Sequence, residues 1–149
     1  MNKYKIVIEL LTIIYLVIMC YAGIYDWKTR YVKPWTCIVN YILALTIAIL
    51  KGATFKQIII SSIWLAAFFY IAALIFIKVT KNHDEGVGGG DILMAPAVTL
   101  FMFDKGLIPI FISSLLAWLD GLILGKKKSN YETPMITYFF IGCIAYLFL

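Results

Sequence analysis

The chain has 149 residues, of which 63% are hydrophobic and only 14% charged. Soluble domains carry about 45–50% apolar and roughly 25% charged residues, so the balance here excludes an ordinary soluble domain. The net charge of +5 does not point to nucleic acid, because its lysines and arginines fall in short segments between apolar blocks and form no basic stripe.

Six apolar blocks follow in order, at 6–25, 35–50, 57–77, 87–103, 107–124 and 134–149. A membrane span needs about 20 residues, with a range of roughly 17–25. The first block follows Lys3 and Lys5 as a signal peptide would, but it is long for an h-region and has no A-x-A site. It reads as a permanent span. Blocks three and five have full length, and blocks two and six are near the lower limit. The fourth is short: from residue 92 to 103 it covers about 18 Å, against a hydrocarbon core of about 30 Å. Counted from Gly86 it reaches about 27 Å, which draws Gly86-Val87-Gly88-Gly89-Gly90-Asp91 partly into the bilayer. The predicted fold is an all-α integral membrane bundle of about six transmembrane helices, one domain over residues 1–149.

The connecting segments set the orientation. One side holds Lys28, Arg30, Lys33, Lys78, Lys81, Lys126, Lys127 and Lys128; the other holds Lys3, Lys5, Lys51, Lys56 and Lys105. The positive-inside rule makes the first side cytoplasmic and leaves both termini outside. Trp27 and Trp35 bracket its first segment, as interfacial aromatics do.

Eight acidic residues occur. Asp84, Glu85, Asp104 and Glu132 lie in connecting segments and read as solvated side chains. Glu9, Asp26, Asp91 and Asp120 touch or enter apolar blocks, where an ionisable group costs at least about 2.5 kcal/mol at a helix centre and is a functional candidate. Glu9 is placed to pair with Lys5, and Asp120 is expected to contact Lys126 or to stand as a third acid near a site. Asp26 ends block one and Asp91 opens the regular part of block four. Two spans separate them, and an even number of crossings returns the chain to the same face. Taken alone, Asp26 reads as an interfacial acid paired with Lys28 or Arg30, and Asp91 as a helix N-cap. As a pair at one depth, two neighbouring carboxyl groups do not both ionise readily: one keeps its proton and polarises a carbonyl while the other activates water.

Gly88-Gly89-Gly90-Asp91 matches a GxGD motif at the start of a span, with a partner aspartate, Asp26, near the end of the first. Over essentially its whole length the chain resembles the type IV prepilin peptidases, membrane proteases that remove the leader from prepilins. The resemblance implies Asp26 and Asp91 as the catalytic pair and Gly88, Gly89 and Gly90 as a substrate-binding loop. It implies prepilin-like or archaeal preflagellin-type substrates, cleaved at the cytoplasmic face of the cell membrane. Lys28, Arg30 and Lys33 read as residues that hold the loop at lipid headgroups rather than select substrate. The chain departs from the family in two places: Val32-Lys33-Pro34 stands where Ile-Pro-Asn is frequent, and Leu93 where a lysine is common. It lacks the paired CxxC region of the longer members that also methylate, so peptidase activity without methyltransferase activity is expected.

No metal or cofactor is implied. His83 is the single histidine, read as a loop residue, and Cys20, Cys37 and Cys143 are widely spaced and read as small packing hydrophobes. Trp64 and Trp118 read as packing or lipid-facing, and Ser61-Ser62 and Ser113-Ser114 as close helix contacts. Two other functions fit the composition: a small transporter whose acids carry ions, and a structural subunit of a secretion assembly. The first would place paired glycine breaks in both halves and acids at the midplane; here the break is single and both acids lie near one face.

Overall fold

The computed structural model describes residues 4–80, 89–105, 108–125 and 133–148. Within them the chain forms six helices and no strand: α1 (Lys5–Thr29), α2 (Pro34–Leu50), α3 (Phe55–Thr80), α4 (Gly89–Phe101), α5 (Ile108–Gly125) and α6 (Met135–Phe148). One of them, α1, is long and apolar enough to cross a membrane by length and composition; apolar stretches of 10–17 residues mark the others. His83, Asp84, Glu85 and Gly88, with Lys126, Lys127, Lys128 and Glu132, lie outside the described residues.

Each apolar block became a helix, with ends set by local chemistry. α1 runs four residues past its apolar block, so Asp26 lies inside its last turn rather than in a connector. Arg30 ends it in the left-handed region (φ 55°), donating its N–H to the Asp26 carbonyl at 2.8 Å. Pro34 opens α2 at the position where a missing N–H costs nothing. Gly52 (φ 85°) turns the chain after α2. Thr54 and Gln57 then form a reciprocal cap: Thr54 N–H donates to Gln57 Oε1 at 2.8 Å, and Gln57 N–H to Thr54 Oγ1 at 3.3 Å.

α4 is the centre of the bundle. It packs on α2, α3 and α6, and Met94, Ala95, Ala97, Val98, Thr99, Leu100 and Phe101 are all buried, the all-round burial of an enclosed helix. Around it α1 contacts α2 and α6, and α5 packs on α6. Tyr15 of α1 stacks on Phe101 with centroids 4.2 Å apart, and Phe101 meets Tyr146 of α6 at 5.2 Å. Thr99 bonds the Ser61 carbonyl, fastening α4 to α3. Cys37 and Cys143 are buried and Cys20 partly so, all as free thiols. Lys5 and Glu9 form the anticipated exposed pair at 3.9 Å.

At the end of the bundle where α2, α4 and α6 finish, Tyr146 accepts from Lys51 Nζ and donates to Asp104 Oδ1, each at 2.5 Å. Lys51 and Asp104 approach to 3.5 Å. Asp104, expected as a solvated loop acid, therefore closes a polar clasp across three helices. The opposite end carries the candidate site.

Candidate active site

Asp26 is 5% exposed in the last turn of α1. Its Oδ2 accepts the backbone N–H of Ile136 at 3.0 Å. Ile136 lies in the first turn of α6, where N–H groups have no partner within their own helix and carry the positive end of the helix dipole. A carboxylate complements both, so the start of one helix caps itself with a side chain from another.

That arrangement needs α1 and α6 close together, and Gly23 permits it. A Cβ at Gly23 would stand 3.3 Å from the Thr137 Cα. Thr137 Oγ1 donates to the Gly23 carbonyl at 2.8 Å, locking the seam one turn from Asp26. Pro134 precedes α6, and Thr133 just before it lies against Gly121 of α5, whose Cβ would be 3.2 Å from Thr133 Oγ1. Asp120 is thereby brought to the same end of the bundle as Asp26, half-buried near the end of α5.

Asp91 is half-buried in the first turn of α4. Residues 90 and 32 join this turn to the α1–α2 connection: a Cβ on Gly90 would come within 2.6 Å of Val32 Cγ2 and 2.8 Å of its Cβ. Among the described residues nothing lies within 4 Å of such a Cβ on Gly89. The two glycines thus differ. Gly90 is required by close packing against Val32, whereas Gly89 keeps an open approach beside Asp91; Gly88 lies outside the described residues. Asp26 and Asp91 therefore occupy the same end of the bundle, one closing α1 and the other opening α4.

Above Cys37 on the same face of α2 stands Asn40, fully enclosed, with no partner for its Nδ2 or Oδ1 among the described residues. Enclosing an amide in this way costs roughly 1–3 kcal/mol for each unsatisfied group.

The basic segment folds back on α1. Lys33 Nζ donates to Tyr21 OH at 2.7 Å and sits 4.4 Å from the centre of the Tyr25 ring. The hydroxyl, accepting that bond, raises the Lys33 pKa above its ordinary value of 10.5. Arg30 lies over Trp27 at 5.5 Å, and Trp35 lies against Tyr21 at 5.8 Å. Lys33 is thus part of an aromatic cluster beside the site, a role its sequence position alone did not suggest.

Sequence reasoning missed Ile136, Gly23, Thr137 and Asn40. Gly23, three residues before Asp26, was a usable signal for close helix contact; a main-chain donor such as Ile136 N–H leaves no mark in the side chains.

Comparison with protein families matches residues 13–149 to the model described as the type IV leader peptidase family. The match takes in Asp26, the glycine run, Asp91 and α6. No curated protein and no solved structure matches the chain.

Proposed function

The chain belongs to the type IV leader peptidase family, and from that premise we propose that it is a membrane-embedded aspartyl endopeptidase acting on type IV pilin-like precursors. Asp26 and Asp91 form its catalytic pair at the cytoplasmic face of the cell membrane. The observation that carries the reading is the placement of Asp26: a buried carboxyl held by the first turn of α6, at the same end as the glycine-led start of α4. A carboxyl used only as an interfacial charge has no need of such enclosure.

The chemistry divides between the two acids. The ionised partner takes a proton from water as it attacks the scissile carbonyl, and the protonated partner donates to the carbonyl oxygen. Collapse of the tetrahedral intermediate returns a proton to the leaving amine. Gly89, which no described residue crowds, gives an extended peptide a place to lie along backbone groups.

A bilayer setting for all six helices is supported by their outer surface. Large apolar side chains are exposed on every helix, among them Leu10, Ile38, Ile63, Leu93, Phe111 and Ile141. Water-soluble monomers rarely expose contiguous apolar patches beyond a few hundred Å².

Co-expression with a prepilin encoded beside the chain, read as leader loss by gel shift, tests the proposal. Cleavage by wild type and none by Asp26→Asn or Asp91→Asn, at equal membrane levels, is the expected result. Equal behaviour of all three proteins would overturn it and leave the transport or structural reading.

A further inference from the structure

Asn40 lies on the α2 face that also buries Thr36, Cys37, Ala44 and Ile47, and α2 packs on α4. An aliphatic side chain of similar size would fill that place without enclosing an unsatisfied amide, as Ala44 and Ile47 do farther along the same face. The amide is therefore kept for a hydrogen-bonding partner from outside this set of side chains. The polar end of the seam indicates which. One turn before Asn40, the Thr36 hydroxyl donates to the Lys33 carbonyl at 2.6 Å and keeps its oxygen lone pairs to accept. Gly90, next to Asp91, packs against Val32 just ahead of α2, so the start of α4 lies beside the first turn of α2.

We propose that Asn40 is a positioning residue of the active site: its amide holds an internal water between α2 and α4 that hydrogen-bonds the Asp91 carboxyl and keeps it turned toward Asp26. The inference rests on the peptidase reading. A buried water typically makes about three hydrogen bonds, and Asn40, Thr36 and Asp91 supply that number. Asparagine suits the task because its amide offers both donors and an acceptor. The bridging water can then donate to Asp91 when it is ionised and accept from it when it is protonated. A dyad whose proton changes owner in each cycle needs a partner that serves both states.

The test compares wild type, Asn40→Leu, Asn40→Ala, Asn40→Ser and Asp26→Asn as purified proteins in lipid vesicles, by prepilin cleavage kinetics and thermal unfolding. Asn40→Leu is expected to unfold at or above the wild-type temperature while kcat falls about tenfold or more and KM stays within about twofold. Asn40→Ser, which restores a hydrogen-bonding group with room for water, is expected to recover most of that loss. Asn40→Ala carries the same kcat expectation as Asn40→Leu and decides the matter if the leucine variant does not accumulate. A wild-type kcat in the Leu or Ala variant overturns the inference and leaves the peptidase reading standing. A lowered unfolding temperature with equal loss in all three Asn40 variants marks a structural role and overturns it too. A silent wild type, or one matched by Asp26→Asn, overturns the peptidase reading and this inference together.

Discussion

The backbone N–H of Ile136 donates to Asp26 Oδ2 over 3.0 Å, so the first aspartate is held by a residue 110 positions further along the chain. An asparagine at position 26 still presents an oxygen to that donor. Asp26→Asn is therefore expected to reach the membrane at wild-type level and to unfold within a few degrees of wild type. Its cleavage rate falls by about 10²–10⁴-fold, the usual range for losing an acid–base group. Ile136→Pro removes the donor in the first turn of α6, where the N–H has no partner within the helix, and cleavage is expected to fall well below that of Ile136→Val, whose packing loss alone is about 0.5–1.5 kcal/mol. Equal rates for those two variants would show that the bond does not matter.

Gly89 and Gly90 are neighbours with opposite tolerance. Gly90→Ala drives a methyl into Val32 and is expected to destabilise the protein by about 1–3 kcal/mol, as overpacking does. Val32→Ala in the same chain removes the Cγ2 contact but keeps the Cβ at 2.8 Å, so it recovers only part of the loss. Gly89→Ala meets nothing among the described residues and is expected to leave the unfolding midpoint unchanged, so a fall in cleavage there reports on the approach of substrate. Thermal unfolding of the four proteins checks this.

Tyr146→Phe breaks the clasp to Lys51 and Asp104 at the end of the bundle away from Asp26. Hydrogen bonds to charged groups contribute about 1.5–3 kcal/mol, and the partial exposure of Lys51 and Asp104 puts the expected loss at or below the lower figure. The cleavage rate per folded molecule is expected to stay at the wild-type value, measured after correcting for protein that remains folded.

Lys33 separates its own titration from that of the site. Its pKa is raised, so its contact with Tyr21 is fully formed below the ordinary lysine value and is lost only as pH rises through the higher one. Between about pH 5 and 9 the ammonium does not change state. The midpoints of the pH–rate profile of Lys33→Met are therefore expected to equal those of wild type over that window, even where the absolute rate differs. A displaced midpoint would show that the Lys33 charge reaches an aspartate.

The six helices were legible because each announces itself as a block of apolar residues. Their ends were less so. Hydrophobicity placed the end of the first block at Tyr25, but backbone hydrogen bonding continues to Thr29, and the residue that stops it is a left-handed arginine, a type with little preference for that conformation. The start of α3 was placed two residues late, at 57, although Thr54 and Gln57 stand at capping-box spacing. Helix order carries Asp26 and Asp91 to one end of the bundle, in line with counting the crossings between them. What holds each aspartate was not readable. Ile136 contributes a main-chain group, and the fit of Gly90 to Val32 joins segments almost sixty residues apart, a relation that exists only after packing. Asn40 was passed over because a single amide in an apolar run looks unremarkable until its enclosure is known.

Because α6 supplies the donor to Asp26, the order in which the chain is made bears on when that carboxyl can be held. A nascent chain that has reached residue 134 already contains both aspartates and the glycine run, yet Asp26 has no N–H from Ile136 to hold it. Assembly of the site waits for α6 to be synthesised and to settle against α1 through Gly23 and Thr137. The hold on Asp26 is thus the last of these contacts that synthesis can supply.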